Sequence, residues 1–537
     1  MSKNKTDSSI ANKSILLSVS SLLTKMISLI STMIIVRMLS PAAYATYKQT
    51  FLAFEVVLPF LAFGLGNGLY YYLPFEKNRI RGRMNDCYTV YFIAGVLFSL
   101  FVLLGGNVLL SERFHNPDVA PLMLYTIPYM LITLLTQCNM VIFNIFNRVK
   151  TLLVFNVVRG LGTNLALIAV MLILPSAKSV VVTYSIVNSL FGIAMIVITS
   201  RILPKDGAAP QLKSMYEMMK FSIPMGIATM IGTLSVQIDS LFISSMRTPE
   251  EFAVYTVGAH ELILINVITS SICAAVTPTF RLCIAESRIG DFISLFLLSM
   301  RRMASILAPM MCFFWIWSDE FISFVYSEKY IDAVWIFRVY LLYFLLRITN
   351  VTGQVFTALG MGKYILFRSA LTCVLNIILN FIFIKLFGSI GAAVATVLSG
   401  WLVFAFSISP MLKKKLKMRL RETYPTRTVV CSVGLGMAVG YVIELTAGRY
   451  LVPLLLKVID FEKILRYFGM YGAEGAETVS TLQSAFDLGV CGVLFIAIYL
   501  PLAIALMKGD YAWVVDKTRE IFGKIFKKKK PAEVTEG

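Results

Sequence analysis

Charge is scarce in this chain, and acidic charge is the scarcer sign. Of 537 residues only 15% are charged, with 30 acids against 49 Lys and Arg and only two histidines. A soluble domain is closer to a quarter charged. The chain is 58% hydrophobic with mean hydropathy +0.77, more apolar surface than one water-soluble core can hide, so lipid is the solvent these residues call for. Cysteine pairing is missing too. The eight cysteines stand singly, without a CxxC, and nearly all lie in apolar segments, which supports neither a disulfide framework nor a zinc site. No Walker A sequence is present, so direct ATP use is unsupported and no cofactor is expected. A cleavable leader is not indicated. After the polar "MSKNKTDSSIANK" the apolar run continues to about Val36, too long for a signal-peptide core and without a small-residue cleavage site, so it is read as a first membrane helix.

What the chain does have is long apolar runs. About 20 mostly apolar residues cross a bilayer as a helix. Fourteen segments qualify, near 14–37, 46–73, 87–111, 120–146, 151–174, 179–200, 218–246, 252–277, 296–318, 333–360, 364–385, 389–412, 428–446 and 488–507. The ninth is the weakest, and its inner end must extend past Arg301 and Arg302. With the N-terminus cytoplasmic, cytoplasmic segments carry 34 Lys and Arg and the opposite loops nine. That bias orients the chain with both termini inside. The net charge of +19 is therefore a topology signal, and no nucleic-acid partner is expected. Trp315, Trp317 and Trp335 cluster at the outer span ends, where interfacial rings belong. The tail "DYAWVVDKTREIFGKIFKKKK" reads as an amphipathic helix on the inner membrane surface, with Trp513, Ile521, Phe522, Ile525 and Phe526 near one face.

Two offsets reveal a repeat. At 212, Phe155 meets Phe367, Asn164 meets Asn376 and Leu167 meets Leu379. At 208, "LSPAAYATY" (39–47) meets "RTPEEFAVY" (247–255), aligning Pro41 with Pro249 and Tyr47 with Tyr255. Spans 1–6 and 7–12 then run in register as a parallel duplication, a recurring transporter plan with the substrate site at the repeat interface. The expected organisation is an N-lobe (1–200), a cytoplasmic linker (201–217), a C-lobe (218–412), a basic loop (413–427), spans 13 and 14 (428–507) around an outer loop at 447–487, and a basic tail (508–537).

Several stretches in combination carry a family resemblance: "RMLSPAAYATYKQ", "AFGLGNGLYYYLP", "PMGIATMIGTLSVQIDSLFISS", "FAVYTVGAHEL", "AVTPTF", "ALGMGKYILFRSALTCVLNIILN" and "FGSIGAAVATVLSGW". On these the chain resembles the multidrug/oligosaccharidyl-lipid/polysaccharide exporter superfamily, most of all its bacterial polysaccharide or oligosaccharide flippase branch, over about 1–412. The resemblance implies an all-α polytopic membrane protein with 14 transmembrane helices: two pseudo-symmetric six-helix lobes in a V shape and two extra C-terminal helices. It also implies translocation of an undecaprenyl-diphosphate-linked oligosaccharide, as in lipopolysaccharide or capsule export, from the cytoplasmic to the outer leaflet of a bacterial inner membrane. The implied partners are that lipid-linked glycan, membrane lipids and other polysaccharide-assembly membrane proteins.

Ionisable groups inside a membrane are costly and are functional candidates. Lys25, Arg159 and Arg347 lie deeper or nearer the cytoplasm and suit a substrate diphosphate, with Arg adding bidentate geometry. Glu55, Asp239, His260 and Glu261 lie in outer halves of spans and suit ion coupling, to H⁺ or Na⁺, or gating. The offset of 208 carries Glu55 to position 263, beside Glu261, one acid per lobe. In "IGTLSVQIDSLFISS", Asp239 is the one charge between Lys220 and Arg247. Its repeat counterpart is Ser31, so shared helix packing does not demand the charge. Each group has a structural reading as well: an interhelical pair, or a side chain reaching towards water. Arg338 and Glu444, near span ends, fit that reading best. Intramembrane Asn and Gln, among them Asn376 and Asn380, read as interhelical glue.

An enzyme is not expected. The longest outer loop, 447–487, holds no His or Cys, and its acids show no distinctive spacing, which argues against a membrane-embedded glycan polymerase. A lipid II flippase, or a multidrug/cation antiporter of the same superfamily, are the alternatives. The richer set of intramembrane cations favours an anionic lipid-linked substrate over a cationic drug.

Overall fold

The computed structural model describes residues 24–75, 78–206, 209–419, 422–467, 475–514 and 516. Among them every regular element is helical. In chain order these are α1 (24–38), α2 (Pro41–Phe75), α3 (Ile80–Arg113), α4 (Val119–Ile145), α5 (Val149–Ile173), α6 (Ala177–Ile202), α7 (Leu212–Met246) and α8 (Pro249–Gly258). They continue as α9 (Ile263–Ala285), α10 (Ile289–Ile316), α11 (Ser318–Tyr326), α12 (Ala333–Ala358), α13 (Gly362–Phe387), α14 (Ser389–Leu416), α15 (Thr426–Lys463) and α16 (Gly475–Leu506). Twelve described helices are long and apolar enough to cross a membrane. α7 contributes a shorter apolar stretch, Met230–Met246, and α1 is the described part of the first span. Fourteen expected spans therefore find helices.

The repeated motif at offset 208 has a local cause. Ser40 caps α2, accepting from the Ala43 amide at 3.2 Å, with Pro41 in the first turn. Thr248 caps α8 in the same way, accepting from the Glu251 amide at 3.3 Å, with Pro249 next. A hydroxyl cap satisfies an orphan amide, and proline needs none there. The repeat thus encodes two helix starts.

One expectation is corrected. The eighth span does not run unbroken from 252 to 277: residues 259–262 interrupt it between α8 and α9, so His260 and Glu261 sit in a break, where backbone groups are not tied up in a helix. Among the described residues, the outer connection 447–487 is mostly helical. α15 continues through a π-helical turn, Glu444–Leu451, to Val458, is interrupted at 459–460 and resumes over Phe461–Tyr467, and α16 begins at Gly475. Apolar residues such as Leu454 and Leu455 carry the helix past the expected end. Of the tail, residues 508–514 are helical, and Ile521, Phe522, Ile525 and Phe526 lie outside the described residues.

The chain packs as two compact units. The first holds 1–267, 325–340 and 363–403. A close backbone crossing in it joins α2 and α7. Gly64 has φ +65°, and a Cβ there would stand 2.5 Å from Gly226 Cα. Only glycine accepts both that backbone and that approach. The second unit holds 268–324, 341–362 and 404–537. There Gly436 and Gly440 of α15 let α10 approach, facing Cys312 and Ile316. Small residues one turn apart are a common device where lipid removes the hydrophobic drive for association. These units are defined by packing. The six-plus-six division concerns internal repetition of the sequence.

Candidate functional site

Asp239 is on α7, only 5% exposed. Asn380 of α13 donates from Nδ2 to its Oδ1 at 2.6 Å. Tyr255 of α8 donates its hydroxyl to Oδ2 at 3.1 Å, and Thr396 of α14 donates to the same oxygen. Asn376, one turn before Asn380, donates to Thr396 Oγ1 at 3.0 Å. These five residues belong to the first unit and join four helices. Every partner of the carboxylate among the described residues is uncharged. Hydrogen bonds to an ionised acceptor are the strong ones, which is how a dry site tolerates a charge.

The donors do not balance. Asn380 Nδ2 carries two protons but meets three acceptors, since it also lies 2.9 Å from Asn376 O and 3.0 Å from Asn376 Oδ1. Its own Oδ1 is buried and has no partner among the described residues. Oxygens from Asp239, Asn376, Asn380, Thr396 and Tyr255 therefore crowd one buried place. Oxygen-rich sets with one carboxylate suit a small hard cation or a proton. The repeat counterpart Ser31 is likewise buried, and its hydroxyl has no partner among the described residues.

A second polar place lies in the same unit. A cavity of about 190 Å³ is lined by Lys48 and Glu55 of α2, Tyr184 of α6, Gln237 and Ser240 of α7, and Thr256 of α8. Gln237 Nε2 donates to Glu55 Oε2 at 3.0 Å. Lys48 Nζ lies 5.5 and 5.3 Å from the rings of Tyr44 and Tyr47. Lys48 and Glu55 are two turns apart on one face, so both signs of charge border the cavity. His260 stands edge-on to Tyr326, with ring centres 6.2 Å apart. Glu261 accepts from Asn266 Nδ2 at 2.8 Å.

The three cations are placed differently. Lys25 on α1 and Arg159 on α5 are exposed. Their chain neighbours Thr24 and Gly160 meet at a close crossing, where a Cβ on Gly160 would stand 2.3 Å from Thr24 Cγ2, so both cations lie at one level of the first unit. Arg347 is half-buried in the second unit, its guanidinium 5.0 Å from the Tyr343 ring.

Sequence reading singled out Asp239 and Glu55 but missed their partners. Asn376 and Asn380 do join helices, yet they do so through Asp239; their spacing of four on a uniformly apolar span was the available signal. Tyr255 and Thr396 look ordinary in sequence. Also missed was Asp86, fully buried, which accepts two bonds from Arg79 at 3.1 and 3.2 Å and one from the Gln211 amide at 2.8 Å.

Solved structures share this architecture. The lipid II flippase MurJ, in an inward closed conformation, superposes with TM-score 0.65 at 14% identity over 90% of this chain and 99% of its own. An inward-facing multidrug resistance MATE-family transporter of the MOP superfamily gives 0.60 at 15% identity, over 75% and 99%. A MOP-superfamily transporter from Pyrococcus furiosus gives 0.53 at 13%, over 75% and 96%. Helix order and packing are therefore those of the MOP-superfamily exporters. A family profile described as "polysaccharide biosynthesis protein" matches residues 10–281, and the chain belongs to that family. No curated protein sequence matches it.

Proposed function

We propose that this chain is a flippase. It moves an undecaprenyl-diphosphate-linked oligosaccharide, the repeat unit of a polysaccharide, from the cytoplasmic to the outer leaflet by alternating access of two six-helix lobes. The supporting observation is the polysaccharide-biosynthesis match over residues 10–281 on a chain whose helices are long and apolar enough to cross a membrane. Both termini are cytoplasmic, on the bias of 34 basic residues to nine, and the membrane is a bacterial inner membrane, as the family resemblance implies. Lys25, Arg159 and Arg347 hold the diphosphate through charge-assisted bonds. The Asp239 cluster takes the coupling cation, Na⁺ or H⁺. Glu55, His260 and Glu261 serve gating or proton movement beside it. The protein performs no covalent chemistry.

Lipid II is the second substrate reading, because the likeness to the lipid II flippase MurJ reaches across 90% of this chain and 99% of that one. Deleting the gene distinguishes the two. The proposal expects an oligosaccharide-bearing undecaprenyl diphosphate to accumulate on the cytoplasmic face, detected by mass spectrometry of extracted lipids. Accumulation of lipid II, or of neither lipid, refutes it. Complementation with Lys25→Gln, Arg159→Gln or Arg347→Gln at normal protein level is expected to lower export at least tenfold. Normal export by all three removes the assigned roles.

A further inference from the structure

The second unit contains two adjoining recesses that the transport reading does not use. The first, about 480 Å³, is bordered by charged side chains among apolar ones and lies where α10, α15 and the chain after α16 meet. Arg301, Arg427 and Lys508 line it, with Thr426 and the carboxylates of Glu422 and Asp510. Asp510 already accepts from the Thr428 hydroxyl at 2.9 Å. Thr426, Arg427 and Thr428 form the first turn of α15, so its positive end opens there too. The second recess, about 270 Å³, is almost wholly apolar and is lined by Ile306, Pro309, Phe313, Phe495, Ile496 and Trp513.

The two are continuous in register. Arg301 lines the first recess, and Ser305, one helical turn on, lines the second. Met507 and Asp510 line the first, while Tyr499 and Tyr511 line the second. The Tyr499 and Tyr511 hydroxyls lie 2.7 Å apart, and Tyr511 donates to the Ser305 carbonyl at 3.0 Å, fixing the floor where the recesses meet. Arg301 also marks the level at which α10 turns apolar, since residues 303–316 carry no charge. The first recess thus sits at a membrane–water boundary and the second within the hydrocarbon.

We propose that these recesses bind one resident anionic phospholipid of the surrounding bilayer, its phosphate against Arg301, Arg427 and Lys508 and an acyl chain along Ile306, Phe313 and Phe495. Charge complementarity selects this occupant. Three cations and a helix N-terminus outweigh two carboxylates, one engaged by the Thr428 hydroxyl and the other by the Arg419 amide, and a zwitterionic lipid brings its own cation into the same place. A basic side chain near the interface strengthens anionic-lipid binding by about fivefold. The bound lipid ties the end of α16 to α10 and α15.

Trp513 supplies the test. The full-length protein is reconstituted with phosphatidylglycerol or phosphatidylcholine brominated on the acyl chains, and the Trp513 signal is taken as the difference from Trp513→Phe. Half-maximal quenching by the brominated phosphatidylglycerol is expected at a mole fraction at least tenfold lower than for phosphatidylcholine. Arg301→Gln/Arg427→Gln is expected to erase that preference, and Arg301→Lys/Arg427→Lys to keep most of it. Equal quenching by the two lipids overturns the proposal, as does a preference that survives in the double Gln variant. Displacement by equimolar undecaprenyl diphosphate identifies the occupant as the transported lipid type, and displacement by free glycerol phosphate identifies a soluble anion site; either overturns the assignment to a bilayer phospholipid.

Discussion

Replacing Asp239 by Asn keeps the side chain's shape and removes its charge. Three hydrogen bonds now end on the carboxylate, from Asn380, Tyr255 and Thr396. In the variant one oxygen becomes an NH₂, which cannot accept. If it faces Oδ2's neighbours, Tyr255 and Thr396 both lose their acceptor; if it faces Oδ1's, Asn380 does. Bonds to charged groups contribute about 1.5–3 kcal/mol each, and an unsatisfied buried donor costs about 1–3 kcal/mol. Recovery of the desolvation cost offsets part of this, leaving an expected loss of about 2–4 kcal/mol. A cation bound to the folded state at ten times its dissociation constant adds about 1.4 kcal/mol. The assay is thermal unfolding of purified protein in NaCl or choline chloride at one ionic strength, repeated at two pH values. Wild type is expected to gain stability from Na⁺, or from protons if the coupling ion is H⁺, and Asp239→Asn to gain from neither. A variant that melts with wild type, or that keeps the cation increment, refutes the reasoning.

Other outcomes follow from the packing. Gly64→Ala meets Gly226 Cα and forces a left-handed backbone, an expected loss of about 2–4 kcal/mol, whereas Gly353→Ala, with open space around its Cβ, costs nothing measurable by thermal unfolding. Asp86→Asn strands Arg79 and lowers stability by about 3–5 kcal/mol, read as folded yield and melting temperature. Burial, with the carboxylates of Asp487, Glu444 and Asp319 nearby, raises the Glu320 carboxyl from 4.5 to about 7. The folded chain then holds a proton that the unfolded chain releases, so stability is lost as pH rises from about 4.5 through 7. Glu320→Gln is expected to melt above wild type beyond pH 7, by about 1–3 kcal/mol, and to flatten the pH profile.

The membrane-crossing helices were legible because apolar length alone announces them, and the cap motifs at Pro41 and Pro249 marked two of their starts. Breaks were harder. Nothing in the hydropathy of 252–277 distinguishes His260 in a gap from His260 in a helix. The Asp239 cluster was half legible. A lone carboxylate in an apolar run is conspicuous, but its partners lie 16 to 157 residues away in sequence and are common intramembrane types. Which oxygens converge depends on helix rotation, a matter of tens of degrees that periodicity does not specify. Glu55 meets Gln237 from 182 residues away for the same reason.

The π-helical turn at Glu444–Leu451 bears on how sequences of this kind can change in length. Deleting one residue from an α-helix rotates everything beyond it by about 100°. A π turn stores surplus residue within the coil, so a deletion there tightens the turn to α and leaves the flanking faces aligned. Residues 444–451 are therefore a place where α15 can lose a residue while Gly436 and Gly440 stay against α10. The same deletion between Gly436 and Gly440 would turn one of those glycines by about 100° relative to the other.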